Sequence, residues 1–546
     1  MPGTSALARA ALLALSPAAC GAFVYQPAVG QIWDPSLLHW NGSYWAISMY
    51  SPKSNKQYPS GFLSRSSDGA HWHDVGPIAP SQPNTQWWKG FPLQRPDGSF
   101  VLAHGVYDTH GADNTTRAGN DALRILTSDN LQNWTEAATS KPDPRWYKPT
   151  RWDHMYMKHN GSSFVGFPVS EPINATRYAS TWPGVQHSTD GVTWTAAAPL
   201  DVRWGGVAPQ GIEEGGIERL TLPDGTSRYF LIGGQGGGGG CYQMWGFVSD
   251  HDDLMGPYSP TPRRFRLSGG LGGWGTCYSF GGLAAWVPPS AGTGQTGPLI
   301  SQYITPRGGS AGRYDVWLLP MREPRAAQMA DGTPYLRLGY WPGNDALLGP
   351  SLAPKPPSTA AVNCTAGSYG VTWLTTLDAA AHSTGAFLTA NLSVGGEGSV
   401  GFAIESPGST TGESTAILLT VGHESDADPT ATNATIARVA NGTGRAVVQV
   451  IDTAGGFACG GKTANTTCGV ASLTAVAPGA SHVARLFVRL GMFEVYVDEL
   501  LVTSHVYSYK ANASGRVGFA CSGGPDAAAV WASAADARVG RLDLGA

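Results

Sequence analysis

Three acidic residues of this 546-residue chain occupy matching places in a repeated pattern. Asp34 lies in the run QIWDPSLLHW, Asp153 in TRWDHMYM and Glu214 in QGIEEGGIERL. Each is followed by a turn signal that opens a second strand-like run: Asn41-Gly42, Asn160-Gly161 and Pro223-Asp224-Gly225. Such dipeptides mark hairpins because their residues tolerate positive φ. Each acid also precedes a second marker by a similar interval: 34 residues from Asp34 to Asp68, 37 from Asp153 to Asp190, and 36 from Glu214 to Asp250. The phase does not separate Glu214 from Glu213, although strand alternation lets only one of them face a shared site. The matching place in the second unit falls near Gln94, and Glu171 is out of phase. Converging carboxylates are suited to cleaving a glycosidic bond. One protonates the leaving oxygen while another attacks the anomeric carbon or activates water. A neighbouring carboxylate helps by raising the acid's pKa.

The elements that would position these acids follow from the markers. Ser67-Asp68-Gly69-Ala70-His71-Trp72 recurs as Ser128-Asp129-Asn130 leading to Trp134, as Thr189-Asp190-Gly191-Val192-Thr193-Trp194, and in part as Ser249-Asp250. The intervals are 61, 61 and 60 residues, with several short strand-like runs in each unit. Such a period points to the blades of a β-propeller. Residues 30–345 hold about five units, the fifth starting at Gly281 without the Asp marker. The innermost strand of each blade lines a central channel, so one phase of the repeat supplies the chemistry. Trp33, Trp40, Trp87, Trp88, Trp152 and Trp274 are candidates to stack on sugar rings. Trp33 and Trp152 adjoin the proposed acids. The run Gly233–Gly240 lacks the G-K-[ST] of a phosphate loop and is expected to be a tight connection. His154 and His159 have no third ligand at metal-binding spacing, so no metal and no cofactor are expected.

The expected organisation is all-β: a signal peptide at 1–22, a five-bladed β-propeller at 23–350, a Pro-rich linker at 351–358 and a C-terminal β-sandwich at 359–546. Runs such as VGFAIES, AILLTVG and FEVYVDELLV alternate apolar and polar residues between turns, as sandwich strands do. Glycine numbers 73 and Trp plus Tyr 39, while charged residues are only 14%, a mix of turns and aromatic strands. A net charge of −4 gives no basic field for nucleic acid, and no apolar run is long enough for a membrane helix. Arg9 followed by AALLAL reads as a secretory signal. Eleven asparagines, from Asn41 to Asn512, stand in N-x-S/T sequons, which agrees with a secreted protein carrying N-linked glycans. Six cysteines follow Cys20, and Cys459 and Cys468 are close enough in sequence for a local disulfide.

The chain resembles glycoside hydrolase family 32, the invertases, inulinases and related fructosyl-transferring enzymes. Trp33-Asp34-Pro35 looks like that family's W-M-N-D-P-N-G nucleophile motif. Arg151-Trp152-Asp153 is similar to R-D-P, and Glu214-Gly215-Gly216 stands where E-C-P supplies the general acid/base. Leu319-Pro320-Met321-Arg322-Glu323 resembles the L-P-R-E segment, and ARLFVRLGMFEVYVDELLVTSHVY resembles a strand pair of the family's sandwich. The resemblance implies a propeller followed by a sandwich, a carbohydrate substrate and retaining hydrolysis of β-fructosides such as sucrose or a fructan. It implies Asp34 as nucleophile, Asp153 as transition-state stabiliser and Glu214 as acid/base, with Trp33, Trp88, Arg151 and Trp152 at the substrate. The chain differs from the family in having Trp33 before the nucleophile, Ser36-Leu37 after it, His154 after Asp153 and Gly-Gly after the acid. Asp34-Pro35-Ser36-Leu37 followed by NGSYW is also similar to glycoside hydrolase family 43, which implies an inverting arabinosidase or xylosidase on the same propeller. A catalytically silent carbohydrate-binding propeller is a third expectation.

Overall fold

The computed structural model describes residues 25–52, 60–78, 85–108, 121–174, 181–203, 212–236, 242–261, 267, 284–289, 295, 297–304, 317–329, 331–352, 359–364, 369–377, 385–395, 398–405, 414–420, 434–439, 446–450, 480–489, 492–506, 515–523 and 530–543. The expected signal peptide, Trp274, the Cys459–Cys468 loop, linker residues 353–358, positions 237–240 of the glycine run and the Glu214 side chain lie outside it. The described chain is built almost entirely of strands.

The strands form antiparallel sheets, the first, second and fourth of them in sequence order, because each hairpin turn returns the chain beside its predecessor. The first sheet is β1 (Gln31–Trp40), β2 (Ser43–Ser51), β3 (Ser60–Ser66) and β4 (His73–Pro77). The second is β5 (Thr85–Gln94), β6 (Phe100–Asp108), β7 (Leu123–Ser128) and β8 (Thr135–Ser140). The third comprises β9 (Tyr147–His159), β10 (Phe164–Pro172), β11 (Trp182–Pro183), β12 (Val185–Ser188) and β13 (Thr195–Ala197). The fourth is β14 (Glu213–Thr221), β15 (Ser227–Gly236), β16 (Tyr242–Ser249) and β17 (Tyr258–Pro260). A further group, β18 (Ala284–Val287), β19 (Leu299–Ile304), β20 (Trp317–Leu318), β21 (Arg322–Gln328) and β22 (Pro334–Tyr340), begins a twelve-stranded sheet that runs on into the C-terminal strands. The first strands are neighbours in space: β1 lies beside β5, β5 beside β9, β9 beside β14, β14 beside β18, and β18 beside β1.

The repeated markers are turns built by their own side chains. Ser66 Oγ accepts from the Gly69 amide at 2.7 Å, and Asp68 Oδ1 accepts from the amides of Ala70 and His71 at 2.9 and 2.8 Å. Ser188 and Asp190 repeat this on Gly191, Val192 and Thr193. In the second sheet the residue in this role is Asn130, one place after Asp129. Its Oδ1 accepts from Gln132 and Asn133, and Ser128 Oγ accepts from Leu131. The tryptophan that follows packs inward, with Trp72 and Trp134 buried. Fully burying such a side chain is worth roughly 1.5–3 kcal/mol, which explains why the turn ends on one.

The C-terminal strands lie in two sheets whose inner faces share one core. Leu388, Leu486 and Val495 come from the twelve-stranded sheet, and Phe402, Val517 and Phe519 from a six-stranded one. This half is tied to the rest by a buried ion pair. Arg322 on β21 donates to Glu494 on the strand Met492–Val497, and also to Gln302 on β19, while Tyr496 Oη donates to Glu494 Oε2 at 2.7 Å. The two segments carrying the family resemblance in this half therefore meet.

Candidate active site

The same irregularity occurs in three first strands and aims their side chains. In β1, Trp33 pairs with Met49 and Ser36 with Ile47, so Asp34 and Pro35 bulge opposite a single residue. In β5, Trp87 pairs with Val106 and Gly90 with His104, leaving Trp88 and Lys89 in the bulge. In β9, Trp152 pairs with Ser170 and Met155 with Pro168, leaving Asp153 and His154. A bulge bends the strand and re-aims the side chains it carries. Asp34, Trp88 and Asp153 are thus structural equivalents. The place estimated at Gln94 from phase alone is Trp88, six residues earlier, because the long connection between β6 and β7 displaces the count. Asp34 itself has φ 47°, a left-handed conformation that costs of order 1–3 kcal/mol and is concentrated at functional sites.

In β14, Gly215 bulges between Glu214 and Gly216. A side chain at Gly215 would overlap the Ala284 carbonyl of β18, and one at Gly216, whose φ is +100°, would overlap the Tyr156 ring. Two glycines follow the acids because β18 and β9 close directly over this backbone. Below them, Tyr156 and Lys158 of β9 hold Glu218 of β14 at 2.5 and 2.7 Å, fixing the two strands together.

The carboxylates of β9 and β14 meet on one arginine, with Asp34 of β1 close enough to Glu213 to feel its charge. Arg151 Nη2 donates to Glu213 Oε1 at 2.6 Å and to Asp153 Oδ2 at 3.0 Å. Asp153 Oδ1 also accepts from the His154 amide at 2.7 Å. Tyr303 of β19 donates its hydroxyl to Asp34 Oδ1. Asp34, Asp153 and Glu213 are 7%, 1% and 8% exposed. Burial pushes the Asp34 carboxyl up to about 6, against the opposing pull of Lys89 and the Tyr303 hydrogen bond, with Glu213 adding to the rise. Burial alone would raise Asp153 too, but Arg151 and His154 hold it well below the usual carboxylate range. Two acids of one cluster are thereby driven apart in pKa, Asp34 upward by burial and Asp153 downward by its cationic and hydrogen-bonding neighbours.

Arg151 reaches Glu213 because of a second irregularity in β9. Tyr147 pairs with Pro172 and Trp152 with Ser170, so residues 148–151 arch over the single residue Glu171. Glu171 anchors the arch, accepting from Lys148 Nζ at 2.6 Å and from Thr150 Oγ1 at 2.5 Å.

The structure corrects several expectations. Trp152 is 0% exposed and packs on Tyr147 with centroids 4.8 Å apart, so it is a core residue and cannot stack on a sugar. Trp40 and Trp87 are likewise packed, against Phe100 and His104 at 5.0 and 4.8 Å. Trp33 is half-buried beside Tyr303 at 5.7 Å, and Trp88 is half-buried in the β5 bulge. Of the two adjacent β14 acids, Glu213 is described and lies at Arg151, while the Glu214 side chain lies outside the described residues. The phase of the repeat did not reveal Lys89 or Tyr303. Lys89 is 1% exposed, with its ammonium 4.6 Å from the Phe91 ring centroid. A lone lysine inside the aromatic run TQWWKGF was the available signal; Tyr303 lies in the unit that lacks a marker.

No family model matches the sequence, and no curated protein does. The fold does have matches. Exo-inulinase from Aspergillus awamori aligns over 96% of this chain and 98% of its own, with a TM-score of 0.61 at 13% identity. Fructan 1-exohydrolase IIa from Cichorium intybus aligns over 96% of both chains, with a TM-score of 0.60 at 12% identity. The GH32 beta-fructofuranosidase BmSUC1 from Bombyx mori aligns over 96% of this chain and 93% of its own, with a TM-score of 0.57 at 12% identity. The chain has the fold of these enzymes. Its structural neighbours are those of glycoside hydrolase family 32, and the alignments run through both the sheet repeats and the C-terminal strands.

Proposed function

We propose that this protein is a glycoside hydrolase that cleaves β-fructosidic bonds, as in sucrose or a fructan, with retention of configuration. The supporting observation is the convergence of Asp153 and Glu213 on Arg151 beside Asp34, from three neighbouring first strands. The sheets form a five-bladed propeller in which β18 belongs to the fifth blade and meets β1 of the first. Fructan 1-exohydrolase IIa has been solved in complex with 1-kestose and BmSUC1 in complex with sucrose, which supports a carbohydrate substrate here.

Ionised Asp34 attacks the anomeric carbon, and Glu213 gives a proton to the leaving oxygen. Glu213 then takes a proton from the water that releases the sugar from Asp34. Glu213, the competitor of Glu214 for this role, is preferred because it is the acid held at Arg151. Asp153 accepts hydrogen bonds from ring hydroxyls that strengthen as charge develops in the transition state. Arg151 positions Asp153 and Glu213 relative to each other. Residues 23–350 form the catalytic domain and 359–546 a bracing sandwich, and the protein is secreted with N-linked glycans.

The test is a substrate panel with product analysis. Release of fructose from sucrose or inulin, with retained anomeric configuration, is the expected result. Release of arabinose or xylose from aryl glycosides with inversion would give the function to the alternative reading. Sugar binding without turnover would remove the catalytic one.

A further inference from the structure

Trp146 stands apart from the other tryptophans. It is 40% exposed, and it is the only exposed tryptophan among the described residues. Ile173 beside it is 44% exposed, and its amide donates to the Trp146 carbonyl at 2.9 Å. The pair sits where β9 begins and β10 ends, directly past the arch that carries Arg151. Ile173 is four residues beyond Val169, which lies opposite the Asp153 bulge, so the shelf lies about 13 Å along the strand from the level of Asp153. Between shelf and catalytic cluster runs a polar strip, Lys148, Thr150 and Glu171, whose members are already hydrogen-bonded to one another and so held in place.

We propose that the Trp146–Ile173 shelf and this strip form a second sugar-binding subsite, which holds a unit of an oligosaccharide beyond the one that reacts. An indole face outside the core offers the flat apolar surface on which the C–H face of a sugar ring rests. The adjacent ammonium, hydroxyl and carboxylate supply partners for ring hydroxyls at its edge. Continuity with Arg151 gives the occupant its identity: a distal residue of the same β-fructan chain. The arch thus serves two sites, carrying Arg151 to Glu213 at one end and the polar strip to the shelf at the other. A long fructan, rather than a disaccharide, is the substrate this surface fits. The inference rests on the fructosidase reading, which it extends to chain length.

The experiment compares long-chain inulin with sucrose. In the Asp34→Asn background, inulin binding is measured by calorimetry with and without Trp146→Ala. With Asp34 intact, the ratio of kcat/KM for inulin to that for sucrose is measured for the same substitution. The subsite predicts roughly ten-fold weaker inulin binding and a roughly ten-fold fall in the ratio, carried by KM, with most of the loss restored in Trp146→Phe. An unchanged ratio and unchanged inulin binding would overturn the subsite. So would equal losses on both substrates. Failure of the unsubstituted protein to hydrolyse sucrose or inulin counts against the function itself, and is distinguishable because inulin binding is read separately.

Discussion

Asp34 carries a burden that its replacement would lift. Its folded-state pKa, about 6, lies above the value of an unfolded aspartate, so the folded state holds the proton more tightly. Ionisation between about pH 4 and 6 therefore destabilises the fold, and the penalty is fully present above that window. Asp34→Asn should abolish turnover yet raise unfolding stability at pH 7.5 by about 2 kcal/mol, with the gain absent near pH 3. Urea unfolding at the two pH values checks both signs. The same carboxyl should set the acidic limb of kcat/KM near pH 6, because the nucleophile must be ionised. Tyr303→Phe removes a donor to that carboxylate and should move the limb up by about one pH unit. The carboxylates themselves were legible from their place in the repeat. The sequence does not separate Glu213 from Glu214, because neighbouring residues share one phase of the repeat, and Lys89 and Tyr303 come together with Asp34 only through tertiary structure.

At the scale of the element, the bulges decide what the site contains. Turn residues and aromatic alternation announced the strands, since each hairpin's chemistry is local. A bulge is a mismatch between two strands, and no single run of sequence records it. That is why Trp152, one residue before the bulge of β9, was expected at the substrate and is buried instead. The same geometry makes Gly215 a sensitive position. A methyl group there meets the Ala284 backbone carbonyl, which cannot rotate away. Gly215→Ala should cost about 1–3 kcal/mol and lower kcat by displacing Glu213. Gly42→Ala, at φ +67° but with open space around it, should cost less and leave kcat unchanged. Thermal melts and steady-state rates on the two variants separate crowding from turn strain.

For the whole molecule, the buried Arg322–Glu494 pair joins the sheet repeat to the C-terminal strands. The two segments holding these residues were recognisable by resemblance, but their contact was not, because 172 residues separate them. Arg322→Met leaves Glu494 buried without its arginine and should cost about 3–5 kcal/mol, lowering the thermal midpoint of the entire chain. Charge satisfaction and geometry also sort the sequons. Asn41 and Asn160 are exposed in hairpin turns, whereas Asn391 lies within a strand and donates its amide to Asp536 at 3.0 Å. In protein secreted from a eukaryotic host, mass spectrometry after glycan release should find Asn41 and Asn160 occupied and Asn391 unmodified. The most direct test of the central claim is the rate of fructose release from sucrose and inulin by the unsubstituted and Asp34→Asn proteins at pH 7. Turnover by the former, and a loss of roughly a thousand-fold or more in a still-folded variant, is the result predicted. An unchanged kcat in Asp34→Asn would contradict it.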